Sequence, residues 1–264
     1  MRRLPANFED RRQRAPGGIA AFSLVELLTV MAIGLAMTAM SGVALKGLKE
    51  SGQFSNALTN ISTALELARS SAVANNMYVY VGIAEYDQTV ASTAAQQRAG
   101  IGRVVLAVVA RKDGTSGIDT TDGSAWKAQY NNGGQLMLLT KPMVFDGVHL
   151  ADSVGAGSPG MERPAVASNY SVSHSQFTSA TPFSYPLGSA LESGCYQFHR
   201  VIQFDPRGSV RMVTSASSGV LAPQFEIALQ HCDGTRLPEV SVGNGQVAAI
   251  QIGGINGDVH LYRP

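Results

Sequence analysis

The chain has 264 residues, 45% hydrophobic and 15% charged, with 20 basic against 19 acidic side chains and a formal charge of +1. That is enough for one sizeable core, and nothing in the balanced charge suggests the basic stripe that a nucleic-acid surface needs. Twenty-eight glycines, with many Ser, Thr and Asn, point to a turn-rich, β-rich exported body.

Residues 1–21 form a basic leader with Arg2, Arg3, Arg11, Arg12 and Arg14, beside Glu9 and Asp10. The leader holds five of the basic and two of the acidic residues, so the rest of the chain carries −2. The next segment, 22–48, is apolar, and between Glu26 and Lys46 there is no charged residue. As a helix rising about 1.5 Å per residue, that uncharged run covers roughly the 30 Å of a bilayer's hydrocarbon core. The arginines before it predict a cytoplasmic N-terminus and an exported, periplasmic body, hence a single-pass inner-membrane protein. Glu26, near the start of the run, needs a partner or an interfacial position, because a charge at the bilayer centre costs about 3 kcal/mol.

Ala21-Phe22-Ser23-Leu24-Val25-Glu26-Leu27-Leu28 resembles the cleavage and methylation motif of type IV prepilins and type II secretion pseudopilins. In that family a dedicated peptidase cuts before the Phe and methylates the new amine. The carboxylate five residues in then pairs with a neighbouring subunit's N-terminus during filament assembly. Carried over, the resemblance implies cleavage between Ala21 and Phe22, N-methylation of Phe22 and an assembly role for Glu26. It also implies helix packing through Leu24, Val25, Leu27 and Leu28. The family usually has Gly before the cut, where this chain has Ala21. Elementary physics points the same way, since a buried carboxylate and a buried ammonium are each tolerable only when paired. The competing readings are an ordinary signal peptide cut after Ser41 or Ala44, which would make Glu26 incidental, and a plain single-span anchor.

Beyond Lys46, Phe54, Leu58, Ile61, Leu65, Ala68 and Ala72 recur at helical spacing. They predict an amphipathic continuation over 49–76 with one buried face, Glu66 and Arg69 on the other side, and a stop at Asn75-Asn76. The remaining residues, 77–264, read as a β-rich head. Strands are expected at 77–84, 103–111, 135–140, 143–150, 196–204, 209–214, 224–230, 247–252 and 259–262. Lys141-Pro142 separates two of them, and Asp205-Pro206-Arg207-Gly208 and Asn256-Gly257 mark tight turns. Residues 151–194 lack periodicity and read as a long surface loop, the natural place for a distinguishing contact.

Phe204-Asp205-Pro206-Arg207-Gly208 resembles the Phe-x-Pro-x-Gly hairpin of GspH/FimT-type pseudopilins and minor pilins, and Ile250-Gln251-Ile252 with Asn256-Gly257-Asp258-Val259 resembles the closing hairpin of the same group. The tail Leu261-Tyr262-Arg263-Pro264 is similar to a prepilin-like group called Verru_Chthon cassette protein D. These hairpins extend the resemblance loosely along the chain and leave 151–194 unmatched.

For the two cysteines, Cys195 and Cys232, a disulfide is the default in an exported chain, with free thiols the alternative. A metal site with His199 and His231 is disfavoured: on a strand Cys195 and His199 lie about 13 Å apart, and His231 and Cys232 point to opposite faces. No Gly-x-Ser-x-Gly motif, clustered acids or phosphate loop suggests an enzyme, and no cofactor is implied. The expected architecture is α+β and pilin-like, a long N-terminal helix with a membrane-spanning first half packed on an antiparallel head. The expected function is that of a minor pilin or pseudopilin subunit in a type IV pilus-like or type II secretion filament. Its partners would be a prepilin peptidase, other pilins or pseudopilins, an inner-membrane assembly platform and, before assembly, membrane lipid; nucleic acid is not expected. The alternative is a membrane-anchored exported binding module that recognises a protein or surface ligand through its loops.

Overall fold

Helix α1 spans Leu24–Ala74. In this computed structural model the described residues are 23–94, 97–112, 114, 136–152, 161–178, 183–187, 196–214, 217–238 and 247–264, with the backbone alone at 39–50, 183, 214 and 217–219. The chain divides into two compact units, Met1–Gly47 and Leu48–Pro264.

In the second unit α1 presents the stripe that its spacing predicts. Phe54, Leu58, Ile61, Leu65, Ala68 and Ala72 are buried, together with Ala57 and Ala64. Recurrence at three and four residues places them on one face. The helix stops where the chain turns left-handed at Asn76, φ 49°. The Met77 amide then donates to the Ala72 carbonyl at 3.1 Å, one of the terminal carbonyls with no partner inside the helix.

Two antiparallel sheets receive that stripe. The first has six strands in the order β3 (Leu136–Asp146), β2 (Gly102–Arg111), β1 (Val79–Asp87), β7 (Arg200–Phe204), β8 (Val210–Thr214), β9 (Ser217–Val220). The second has the order β12 (Val259–Tyr262), β11 (Val247–Gly253), β10 (Gln224–His231), β4 (Val148–Ala151). One core joins the helix stripe to Val81, Ile83, Leu106 and Val108 of the first sheet and Phe225, Ile227, Ile250 and Ile252 of the second. Strands β1 and β2 are buried on both faces, which is why they read as continuous apolar runs. Their other face carries a second cluster with Tyr80, Val105, Val109, Phe198 and Val201. Beside it, β5 (Phe183–Tyr185) and β6 (Tyr196–Phe198) form a small antiparallel pair.

The sheets meet at Gly147, whose φ of +75° a side chain would strain. It ends β3 in one sheet and begins β4 in the other. Its amide donates to the Gly102 carbonyl at 2.8 Å, and its carbonyl accepts from the Cys232 amide at 3.0 Å. Polar pairs flank the switch: Arg103 Nε to Asp146 at 2.7 Å and His149 Nδ1 to Glu85 Oε1 at 2.7 Å.

Three sequence expectations are corrected. The α+β, pilin-like architecture with a membrane-spanning first half of the helix does not hold: the molecule is mostly antiparallel sheet, and its short helices, Ser168–Tyr170 and Ser175–Phe177, are single 3-10 turns. Among the described residues no helix is long and apolar enough to cross a membrane, which overturns the transmembrane, single-pass inner-membrane expectation. Lys141-Pro142 does not break a strand either. Pro142 lies on an edge strand, where a missing N–H costs no interior ladder bond, and register shifts around Val108 absorb the irregularity.

The expected loop 151–194 is built into the body where it is described. Val172 and Phe177 are fully buried. The Val172 amide donates to the Glu226 carbonyl at 2.8 Å, and the Ser173 hydroxyl to the Ala151 carbonyl at 2.7 Å. Arg163 pairs with Glu226 at 2.9 Å with both side chains at most 5% exposed, and Gln251 donates to the other Glu226 oxygen at 3.1 Å.

Candidate assembly site

The start of α1 carries the residues singled out for assembly. Ser23 and Glu26 lie three residues apart and satisfy each other: the Glu26 amide donates to Ser23 Oγ at 3.2 Å, and the Ser23 amide donates to Glu26 Oε2 at 3.4 Å. This is a reciprocal capping box, which quiets two of the amides that a helix start leaves without partners. A carboxylate in the first turn also faces the positive end of the helix dipole. The pattern Ser-x-x-Glu before an apolar run is a sequence signature that the assembly reading of Glu26 overlooked. Glu26 therefore has a local structural role whatever else it does.

Behind this cap the helix is apolar all round. Leu24, Val25, Leu27, Leu28, Val30, Met31, Ile33, Leu35 and Met37 are each between 55% and 76% exposed. Spacings of one, two and three residues place them on every side, and a helix of that kind is one that becomes buried. Thr29 and Thr38 turn their hydroxyls inward, to the carbonyls of Glu26 at 2.9 Å and Leu35 at 2.9 Å. Their polarity is thus spent on the helix itself rather than offered outward. Ala21 and Phe22, the expected processing site, lie outside the described residues.

The other candidate groups sit in the body. Among the described residues Cys232 has no disulfide partner, and its buried thiol is pushed up to about 12, first by burial and then by the carboxylates of Glu85, Asp233 and Asp146. Cys195 lies outside the described residues, and so does any pairing between the two. Glu85 faces both Cys232 and His149, so a cysteine, a histidine and a carboxylate share one neighbourhood. Its electrostatics oppose nucleophilic chemistry, because a thiol held that high is not a thiolate at neutral pH. His231 packs edge-on against Phe54, ring centroids 6.0 Å apart. Among the described residues no three His, Cys, Asp or Glu side chains are grouped to hold a metal ion.

Comparison with known family models, with curated proteins and with solved structures finds no match to this chain.

Proposed function

We propose that this chain is a minor subunit of a pilin- or pseudopilin-type filament, processed by a prepilin peptidase before Phe22 and assembled through the helix that begins at Leu24. The observation that carries the reading is an exposed helix apolar on every side, from Leu24 to Met37, led by a single carboxylate. Isolated apolar side chains on a surface need no explanation, but a contiguous apolar surface marks an interface. The cover proposed here is the equivalent helices of neighbouring subunits. Knob-like Leu, Met, Ile and Val side chains suit such packing, and Gly34 allows a close approach, with open space around its backbone. Glu26 supplies register: once the chain is cut before Phe22, its carboxylate is four residues along the chain from a free ammonium, and a neighbour's ammonium can take the place of the Ser23 amide. An ion pair buried in apolar packing specifies one alignment and penalises the others.

Glu26→Ala tests this in the native cell. The variant keeps its apolar surface and loses its register group. It is expected to be processed and to accumulate, yet to fall at least about tenfold in the filament fraction. Normal incorporation would overturn the assembly reading, because the helix of an exported binding module would be indifferent to Glu26.

A further inference from the structure

Helix α1 runs unbroken from Leu24 to Ala74, yet one of its turns lacks a packed face. Ser51, Gly52 and Gln53 are all exposed. Three consecutive residues point to nearly every side of a helix, so no side of this turn lies against the body. A Cβ placed on Gly52 would find no described atom within 4 Å. The next residue, Phe54, is 4% exposed, and its ring meets His231 edge-on with centroids 6.0 Å apart. The buried stripe starts there and continues to Ala72. The boundary between the two compact units falls just before the bare turn, between Gly47 and Leu48.

The local sequence is weak where the packing is missing. It reads Gly47-Leu48-Lys49-Glu50-Ser51-Gly52-Gln53. Glycine is the poorest helix former after proline, and most of a helix's stability in a protein comes from an apolar face that is covered. The stretches on either side are better held. From Phe54 onward the helix is pinned to both sheets. At the other end Leu, Met and Ala predominate, and the Ser23–Glu26 capping box closes the first turn. A helix opens first where few apolar contacts guard its hydrogen bonds, and in α1 that place is 51–53.

We infer that 51–53, with Gly52 at its centre, is a hinge in α1. It opens locally and lets the apolar half of the helix change direction while the sheets keep their packing. A few residues that absorb a change in backbone angles are enough for such a motion. The hinge does not depend on what covers the apolar half, and so it does not depend on the filament reading.

Hydrogen exchange of the full-length chain in detergent micelles, followed amide by amide, tests it. In the wild type the amides at 51–53 are expected to exchange at least about tenfold faster than those at 58–72. Gly52→Ala adds a methyl group that meets no described atom and raises helix propensity. It is expected to slow exchange at 51–53 about fivefold and to leave 58–72 as it was. Exchange at 51–53 as slow as at 58–72 in the wild type overturns the hinge. So does a Gly52→Ala variant that leaves 51–53 unchanged, or one that slows both stretches alike, since the helix would then open together with the body. Normal incorporation of Glu26→Ala, beside an exchange pattern that behaves as described, removes the filament role and leaves the hinge standing.

Discussion

Asp87 shows how tightly a single carboxylate is held in the body. Arg98 bonds it, and Thr89 adds its hydroxyl at 2.6 Å and its amide at 2.8 Å. The guanidinium first, and Thr89 second, lower the Asp87 carboxyl to about 2. A carboxyl lowered on folding stabilises the folded state above its ordinary value near 4 and loses that contribution as pH falls toward 2. Asp87→Asn should therefore melt below the wild type at pH 6, and the gap should close between about pH 4 and pH 2 in thermal unfolding scans. A gap of constant size would mean that the charge is not what the site uses. This bond set was not legible in the sequence, because Asp87 and Arg98 lie eleven residues apart across a stretch that reads only as loop. Glu26 is the opposite case. Its carboxylate invited a long-range role, while the nearer partner, Ser23, was readable from spacing alone.

Among the elements, β10 is fastened through a single residue, Glu226. Glu226 stands on it with one oxygen on Arg163 and the other on Gln251, and its carbonyl takes the Val172 amide. It thereby ties the segment 161–172 to the second sheet. Glu226→Gln removes the carboxylate from a buried guanidinium and is expected to cost about 3 kcal/mol. Hydrogen exchange should rise first at Val172 and its neighbours; uniform loosening of the whole sheet would contradict a local tie. The sequence showed the strands themselves, because alternating or continuous β-branched runs and the turns Asp205–Gly208 and Asn256–Gly257 are local signals. It placed the break near 141–142, whereas the chain turns at Gly147, since the edge position that makes Pro142 harmless is a property of the sheet and not of the strand. The segment around Phe177 gave no periodic signal because its burial comes from single side chains on 3-10 turns, held by long-range bonds.

At the scale of the whole molecule, the division between Gly47 and Leu48 separates a helix start that is apolar and exposed from a body whose apolar stripe is buried. The sequence marked both stretches as helical. It did not distinguish the solvent that the first one meets, and an uncharged run was read as a bilayer span that the described residues do not support. Nor could it show the order of strands in two sheets, because pairings such as Val79 with Phe204 join residues far apart along the chain. The claim on which the functional account turns is that the chain is cut before Phe22 and works from that new terminus. Mass spectrometry of the protein isolated from its native cell envelope tests it most directly. The account predicts an N-methylated Phe22 as the first residue; a chain that still begins at Met1, or one that starts after Ser41 or Ala44, would contradict it.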